Sequence, residues 1–207
     1  MARTASGARA MRGPRAARAT APAGNGADGL ALAQRRFLAG ERVSPERLAA
    51  DLGVSRATAY RRFGNAEQLA GAVILRLAEG TFHRSSREAR GRGAARIVDH
   101  LARGMRYIAN NKAYRAFLER NPQKALWIVT SKAGPVQARV IALNEALLAE
   151  EIERGNLRIP VDAHTMAYAL VRIVEAFLYA DMITGERPDL EKATQILALM
   201  LRGESSD

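Results

Sequence analysis

Cysteine is missing altogether from this 207-residue chain, and histidine, tryptophan and phenylalanine are scarce, at three, one and five residues. Without cysteine there can be no disulfide, no thiolate metal site and no cysteine nucleophile. Long apolar runs are missing too. The most apolar stretch, about 162–183, is interrupted by Arg172, Glu175 and Asp181, so no segment reads as a bilayer span and no membrane partner is expected. No stretch alternates with period two for long enough to make a strand. There is no phosphate-loop or dinucleotide glycine pattern, no Ser-His-Asp order and no cluster with metal-ligand spacing. An enzyme is therefore not expected, nor any metal or cofactor. The basic N-terminus has no apolar h-region, and a cysteine-free chain suits a reducing compartment, so a cytoplasmic location is expected.

What is present is Ala- and Leu-rich helical sequence, 48% hydrophobic, with a formal charge of +11. The charge is unevenly placed. Residues 1–27 hold five arginines and no acid, and residues 28–90 hold eleven basic and seven acidic residues. A lopsided positive charge attracts a polyanion and speeds encounter with it. Residues 1–27, built of Ala, Arg, Gly and Pro, read as a disordered basic tail.

The stretch Ser44 to Phe63 carries the strongest signal. Ser44 can cap a helix that opens on Pro45, whose missing amide hydrogen costs nothing there. Glu46 sits in the first turn, where the helix dipole favours negative charge. Leu48, Ala49 and Leu52 form an apolar stripe, and Gly53 can end the helix in the left-handed conformation. Ser55 can cap a second helix, in which Ala59 and Phe63 share the inward face. Ala57, Thr58, Tyr60 and Arg61 then fall mostly outward, flanked by Arg56 and Arg62. Two short helices with a glycine turn and outward arginines are the pattern of a helix-turn-helix whose second helix enters the major groove of double-stranded DNA.

These residues resemble the TetR family of bacterial transcription regulators, through Ala49-x-x-x-Gly53-Val54-Ser55-x-x-Thr58-x-Tyr60-x-x-Phe63 and then Asn65-x-Glu67-x-Leu69. The resemblance implies that Thr58 and Tyr60 contact phosphates or bases. It also implies that Arg56, Ala57, Arg61 and Arg62 face the groove and that Ser44 meets the backbone; Ser55 completes the candidate DNA-binding set. Ala66 stands where the family usually has a phosphate-gripping lysine, so that contact does not carry over. Further along, Gly155–Asp162, Ala167–Asp181 and Pro188–Leu190 are similar to the C-terminal domain of the Qsd-type regulators, named for control of quorum-sensing lactone degradation.

The expected fold is all-α: a three-helix helix-turn-helix domain over 28–75 and a larger helical bundle over 76–207 that dimerises. Helices are expected at about 28–39, from Asn65 towards Arg90, and at 94–110, 112–120, 122–132, 135–154, 162–183 and 188–202. Gly and Pro pairs separate them. Asn65 and Gln68 can form a capping box. The last two long helices are apolar on more than one face, which suits a two-fold four-helix interface in a homodimer and a palindromic operator.

Candidate ligand-binding residues in the second region are Tyr107, Phe117, Trp127, Met166, Arg172 and Glu175. Arg172 and Glu175 are three apart and can pair on one helix face, either as a structural ion pair or as an anchor for a polar ligand head such as a lactone carbonyl. His100 and His164 read as ordinary polar residues. The expected function is a repressor released from DNA by a small, largely apolar effector. The alternative is a sequence-tolerant architectural DNA binder without one.

Overall fold

The computed structural model describes residues 26–132 and 134–202, and these form helices with no strand among them. Apart from its last two positions, the basic segment 1–27 lies outside the described residues. The helices are α1 Gly26–Leu38, α2 Pro45–Leu52, α3 Arg56–Phe63, α4 Ala66–Glu88, α5 Ala94–Ala109, α6 Lys112–Arg120, α7 Pro122–Thr130, α8 Pro135–Glu153, α9 Ala163–Leu178, α10 Ala180–Ile183 and α11 Leu190–Met200.

Local chemistry sets α2, α3 and α4. Ser44 accepts a hydrogen bond from the Arg47 amide, and Pro45 opens α2. Gly53 ends that helix at φ 64°, a conformation that β-carbons disfavour. Ser55 caps α3 by accepting from the Thr58 amide at 3.1 Å. Asn65 and Gln68 form the reciprocal capping box at the start of α4. α1 crosses α3 closely: a β-carbon on Gly29 would lie 2.3 Å from the Phe63 ring.

Two apolar clusters fill the interior. The first joins Ala33 and Phe37 of α1 and Leu48 of α2 to Leu69, Val73 and Ile74 of α4, and continues into α6, α7 and Tyr179. The second gathers α5, α8, α9 and α11 around Ile97, Leu148, Leu170 and Leu197. α4 runs unbroken through the expected boundary at 75–76, and the first cluster crosses it as well.

Some ends differ from the sequence expectation. The helix expected over 162–183 breaks at Tyr179 (φ −111°, ψ 17°), giving α9 and the short α10. Tyr179 is buried there, with its hydroxyl committed to Tyr114, and this tertiary contact overrides the local helical pattern. α4 stops at Glu88 because the Arg90 amide turns to donate to Asp99 at 2.8 Å. α1 begins at Gly26, so Asp28 lies inside its first turn. None of the described helices is long and apolar enough to cross a membrane.

Candidate functional sites: a nucleic-acid interface and a buried cavity

α3 turns Ala59 fully inward and leaves Ser55, Arg56, Ala57, Tyr60, Arg61 and Arg62 exposed, with Thr58 half-buried. The outward face is thus cationic, with the small Ala57 beside Arg56 in its first turn. Thr58 Oγ1 and Ser55 Oγ are 2.9 Å apart, so the cap and its neighbour stiffen the start of the helix. The Tyr60 hydroxyl donates to the Glu46 carboxylate, tying α3 to α2. That bond holds the Glu46 carboxyl below its ordinary range and raises the tyrosine hydroxyl. Tyr60 therefore presents an exposed ring while its oxygen is engaged within the motif. Ser44 is half-buried at the start of α2, on the rim of an open groove of about 580 Å³ between the α1–α2 loop and α6–α7.

A second site lies deeper. A cavity of about 140 Å³ opens between α4, α5, α8 and α9, with α6 and α7 closing it. Its walls are mostly apolar; Thr81, Tyr107 and Asn111 lie in the lining, and the other polar groups fall into two sets. Ser85, His100 and Asn144 form one. Ser85 Oγ and His100 Nδ1 are 2.9 Å apart, and Asn144 donates to the Val140 carbonyl. Burial pushes His100 down to about 4, so the imidazole is neutral near pH 7. Tyr114, Tyr179, Gln137 and Glu175 form the other set. The two tyrosine oxygens are 2.7 Å apart, and burial raises both hydroxyls. With its amide nitrogen turned toward the carboxylate, Gln137 donates to Glu175 Oε1 at 2.8 Å. Burial raises Glu175 to about 7, against the opposing pull of Arg172 and Gln137. Gln137 and Asn144 stand about two turns apart on α8, roughly 10 Å along its axis.

Of the six side chains expected to bind ligand, the structure brings Tyr107 and Glu175 to the cavity. Tyr107 donates to Glu88, and the Arg84 guanidinium lies 4.2 Å from its ring centre. Phe117 lines the separate groove, against Phe37. Trp127 is 49% exposed on α7, away from the cavity. Met166 is buried in the second apolar cluster. Arg172 is largely exposed and reaches Glu175 Oε2 at 2.7 Å from outside. The physical reason is common to all four. Helical spacing tells which residues share a face of one helix, but not which neighbour that face meets. His100, read as ordinary, turns out to be buried in the cavity wall. Its signal was its register with Ile97, Leu101 and Met105 on the apolar face of α5.

A helix-turn-helix with a cationic outer face, carried by a long helix that also walls a cavity, defines a helical DNA-binding protein of the kind that couples the two. The family model for the tetracyclin repressor-like C-terminal domain matches residues 92–202. The chain is similar to the TetR-family transcriptional repressor QsdR of R. erythropolis, with 30% identity, a TM-score of 0.80, and coverage of 85% of this chain and 93% of that one. It also shares its fold with the TetR family repressor AlkX of Dietzia sp. (24% identity, TM-score 0.58, 84% and 93% covered) and with the multidrug binding protein EbrR (20%, 0.57, 86% and 90%). No curated protein matches the chain. The chain belongs to the TetR family of transcriptional regulators.

Proposed function

We propose that the protein is a ligand-responsive repressor that binds a palindromic operator as a homodimer and lets go when a small, largely apolar effector enters the cavity. The double role of α4 carries this reading. Leu69, Val73 and Ile74 of α4 pack with α1 and α2, while Ile74, Leu77, Phe82 and Ser85 face the cavity. A ligand that favours one position of α4 thereby favours one position of the reading helices. It can shift that balance only by its affinity difference between the two states.

α3 would read the groove with Arg56 and Arg61, while Ser44, Ser55 and Thr58 meet the backbone and Ala57, Tyr60 and Arg62 complete the contact surface. The exposed apolar side chains Tyr168 of α9 and Leu199 of α11 support pairing of these helices with those of a second subunit. A lactone is an effector of suitable chemistry, being compact, apolar along its ring and uncharged.

A competition gel shift with the upstream region of its own gene against random DNA tests the reading. Specific retention supports it, and equal competition would support sequence-tolerant architectural binding instead. Arg61→Ala should weaken operator binding by about 1–3 kcal/mol if a base edge is read. Unchanged affinity in both Arg56→Ala and Arg61→Ala would remove α3 as the reading helix.

A further inference from the structure

We propose that the groove between the α1–α2 loop and α6–α7 is a second ligand site, distinct from the cavity, and that it takes a single-chain fatty carboxylate whose charge weakens operator binding. The site goes beyond the reading above, and only its effect on the operator rests on that reading.

The two recesses share no lining residue and differ in charge. No lysine or arginine lines the cavity. The groove is lined by Arg42, Arg47, Arg120 and Lys124 against Glu41 and Glu67. Both acids are already paired. Arg36, which does not line the groove, holds Glu41, and Lys124 holds Glu67. Arg42, Arg47 and Arg120 are left to set the sign, so the groove draws an anion.

These cations face one another across a seam. Arg42 and Arg47 belong to the helix-turn-helix side, Arg120 and Lys124 to the bundle. Like charges on opposite walls oppose closure, and an anion between them turns that repulsion into attraction. A carboxylate suits the planar guanidinium fork, because its two oxygens can accept parallel N–H bonds. Arg120 already donates to the Gly40 carbonyl at 3.5 Å, close in sequence to Arg42. A carboxylate shared by Arg42 and Arg120 would therefore bind the α1–α2 loop to the end of α6.

The floor gives the alkyl chain its place. Phe37 of α1 and Phe117 of α6 meet there, with ring centres 5.6 Å apart. Val43, Ala70 and Ile128 extend the apolar lining. A DNA backbone has nothing to bury against these side chains, and a flat bilayer surface does not reach between two walls. A fatty carboxylate buries its methylenes on the floor and keeps its charge at the arginines.

Ser44 lines the same groove and caps α2. A carboxylate beside it places negative charge next to the helix-turn-helix and engages arginines that otherwise attract the duplex, so operator affinity falls. By linkage, operator DNA must weaken carboxylate binding by the same factor.

The test is calorimetry on the full chain without DNA, with decanoate, hexanoate, methyl decanoate and inorganic phosphate, each below any micellar concentration. Decanoate is expected to bind, hexanoate more weakly, and the ester and phosphate at least tenfold more weakly. The variant Arg42→Gln/Arg120→Gln changes one exposed arginine on each wall. It should melt at the parental temperature and lose about tenfold in decanoate affinity, whereas Arg42→Lys/Arg120→Lys, which keeps the charge, should lose less. Gel shifts should then show decanoate weakening operator binding by threefold or more in the parent and by less in the glutamine variant. Absence of decanoate binding, ester binding within threefold of the acid, or parental decanoate affinity in the glutamine variant would overturn the site. If the parent ignores decanoate and the glutamine variant loses operator affinity, the arginines serve the duplex and the proposal falls. Decanoate that binds as described yet leaves operator affinity unchanged would uphold the site and overturn its regulatory effect. A parent that prefers no operator would overturn the repressor reading and leave the calorimetric result standing.

Discussion

The helix-turn-helix and the bundle behind it are built by hydrogen bonds of different reach. In the first, the caps link residues two or three apart, Ser44 to Arg47, Ser55 to Thr58 and Asn65 to Glu67 and Gln68, and the ties between helices, Tyr60 to Glu46 and Arg36 to Asp51, span 14 and 15. In the second, the buried polar contacts are distant in sequence. Gly93 donates to Glu151 across 58 positions, Arg96 to the same carboxylate across 55, and Tyr114 meets Tyr179 across 65. A motif whose bonds fall within one short stretch of chain can keep its shape while it moves as a unit. A cavity assembled from distant ones depends on how whole helices are placed, and a ligand among them can reset that placement. The division suits a reading head mounted on a sensing body, with α4 belonging to both.

Breaking a distant contact should cost most. Glu151 is 1% exposed and accepts from the Gly93 amide at 2.6 Å and from Asn156, with Arg96 beside it. Burial alone would raise its carboxyl, but these partners outweigh it and hold the carboxyl below its ordinary range. Glu151→Ala leaves the buried Gly93 amide without its acceptor and Arg96 with Glu150 alone, so a loss of about 3–5 kcal/mol is expected by urea unfolding. A loss under 1 kcal/mol would show that the long-range network is not what holds the bundle.

The next effect depends on pH. The unfolded chain protonates His100 near its ordinary 6.5, whereas the folded chain resists until about 4. Stability from this group is therefore whole above pH 6.5 and declines as pH falls from 6.5 toward 4, by about 3 kcal/mol in all. Glu175, raised to about 7 by burial, changes stability in the opposite sense over the same range, so the imidazole is read from the difference between parent and His100→Gln, which should shrink by about 2 kcal/mol from pH 7.5 to pH 5 in urea unfolding. The same slope in parent and variant would place the acid sensitivity elsewhere.

The local side of the comparison should yield least. Ser55→Ala removes the cap of α3 and should cost about 1 kcal/mol in thermal unfolding, with the bundle's acid response unchanged. A much larger loss would mean that the reading head leans on the body for its shape.

Much of the helix-turn-helix was readable: Pro45 to Leu52 follows from the cap at Ser44 and the turn at Gly53, and the start of α3 at Arg56 from the cap at Ser55. The cavity was not. Tyr107 and Glu175 were legible as its walls, but Trp127 and Met166 share the same helical spacing and point elsewhere. His100, Ser85 and Asn144 carried no local sign of meeting, since they sit on three separate helices.

From the amino-acid order alone come the helical class, the caps, the reading motif, the arginines on its outer face and the lopsided charge, because each depends on neighbours within a turn or two of chain. Only the folded arrangement decides which helix faces enclose the cavity, that Tyr179 breaks α9 to reach Tyr114, and that His100 is held neutral. Those outcomes depend on the crossing of helices far apart in sequence, where packing and burial override local preference.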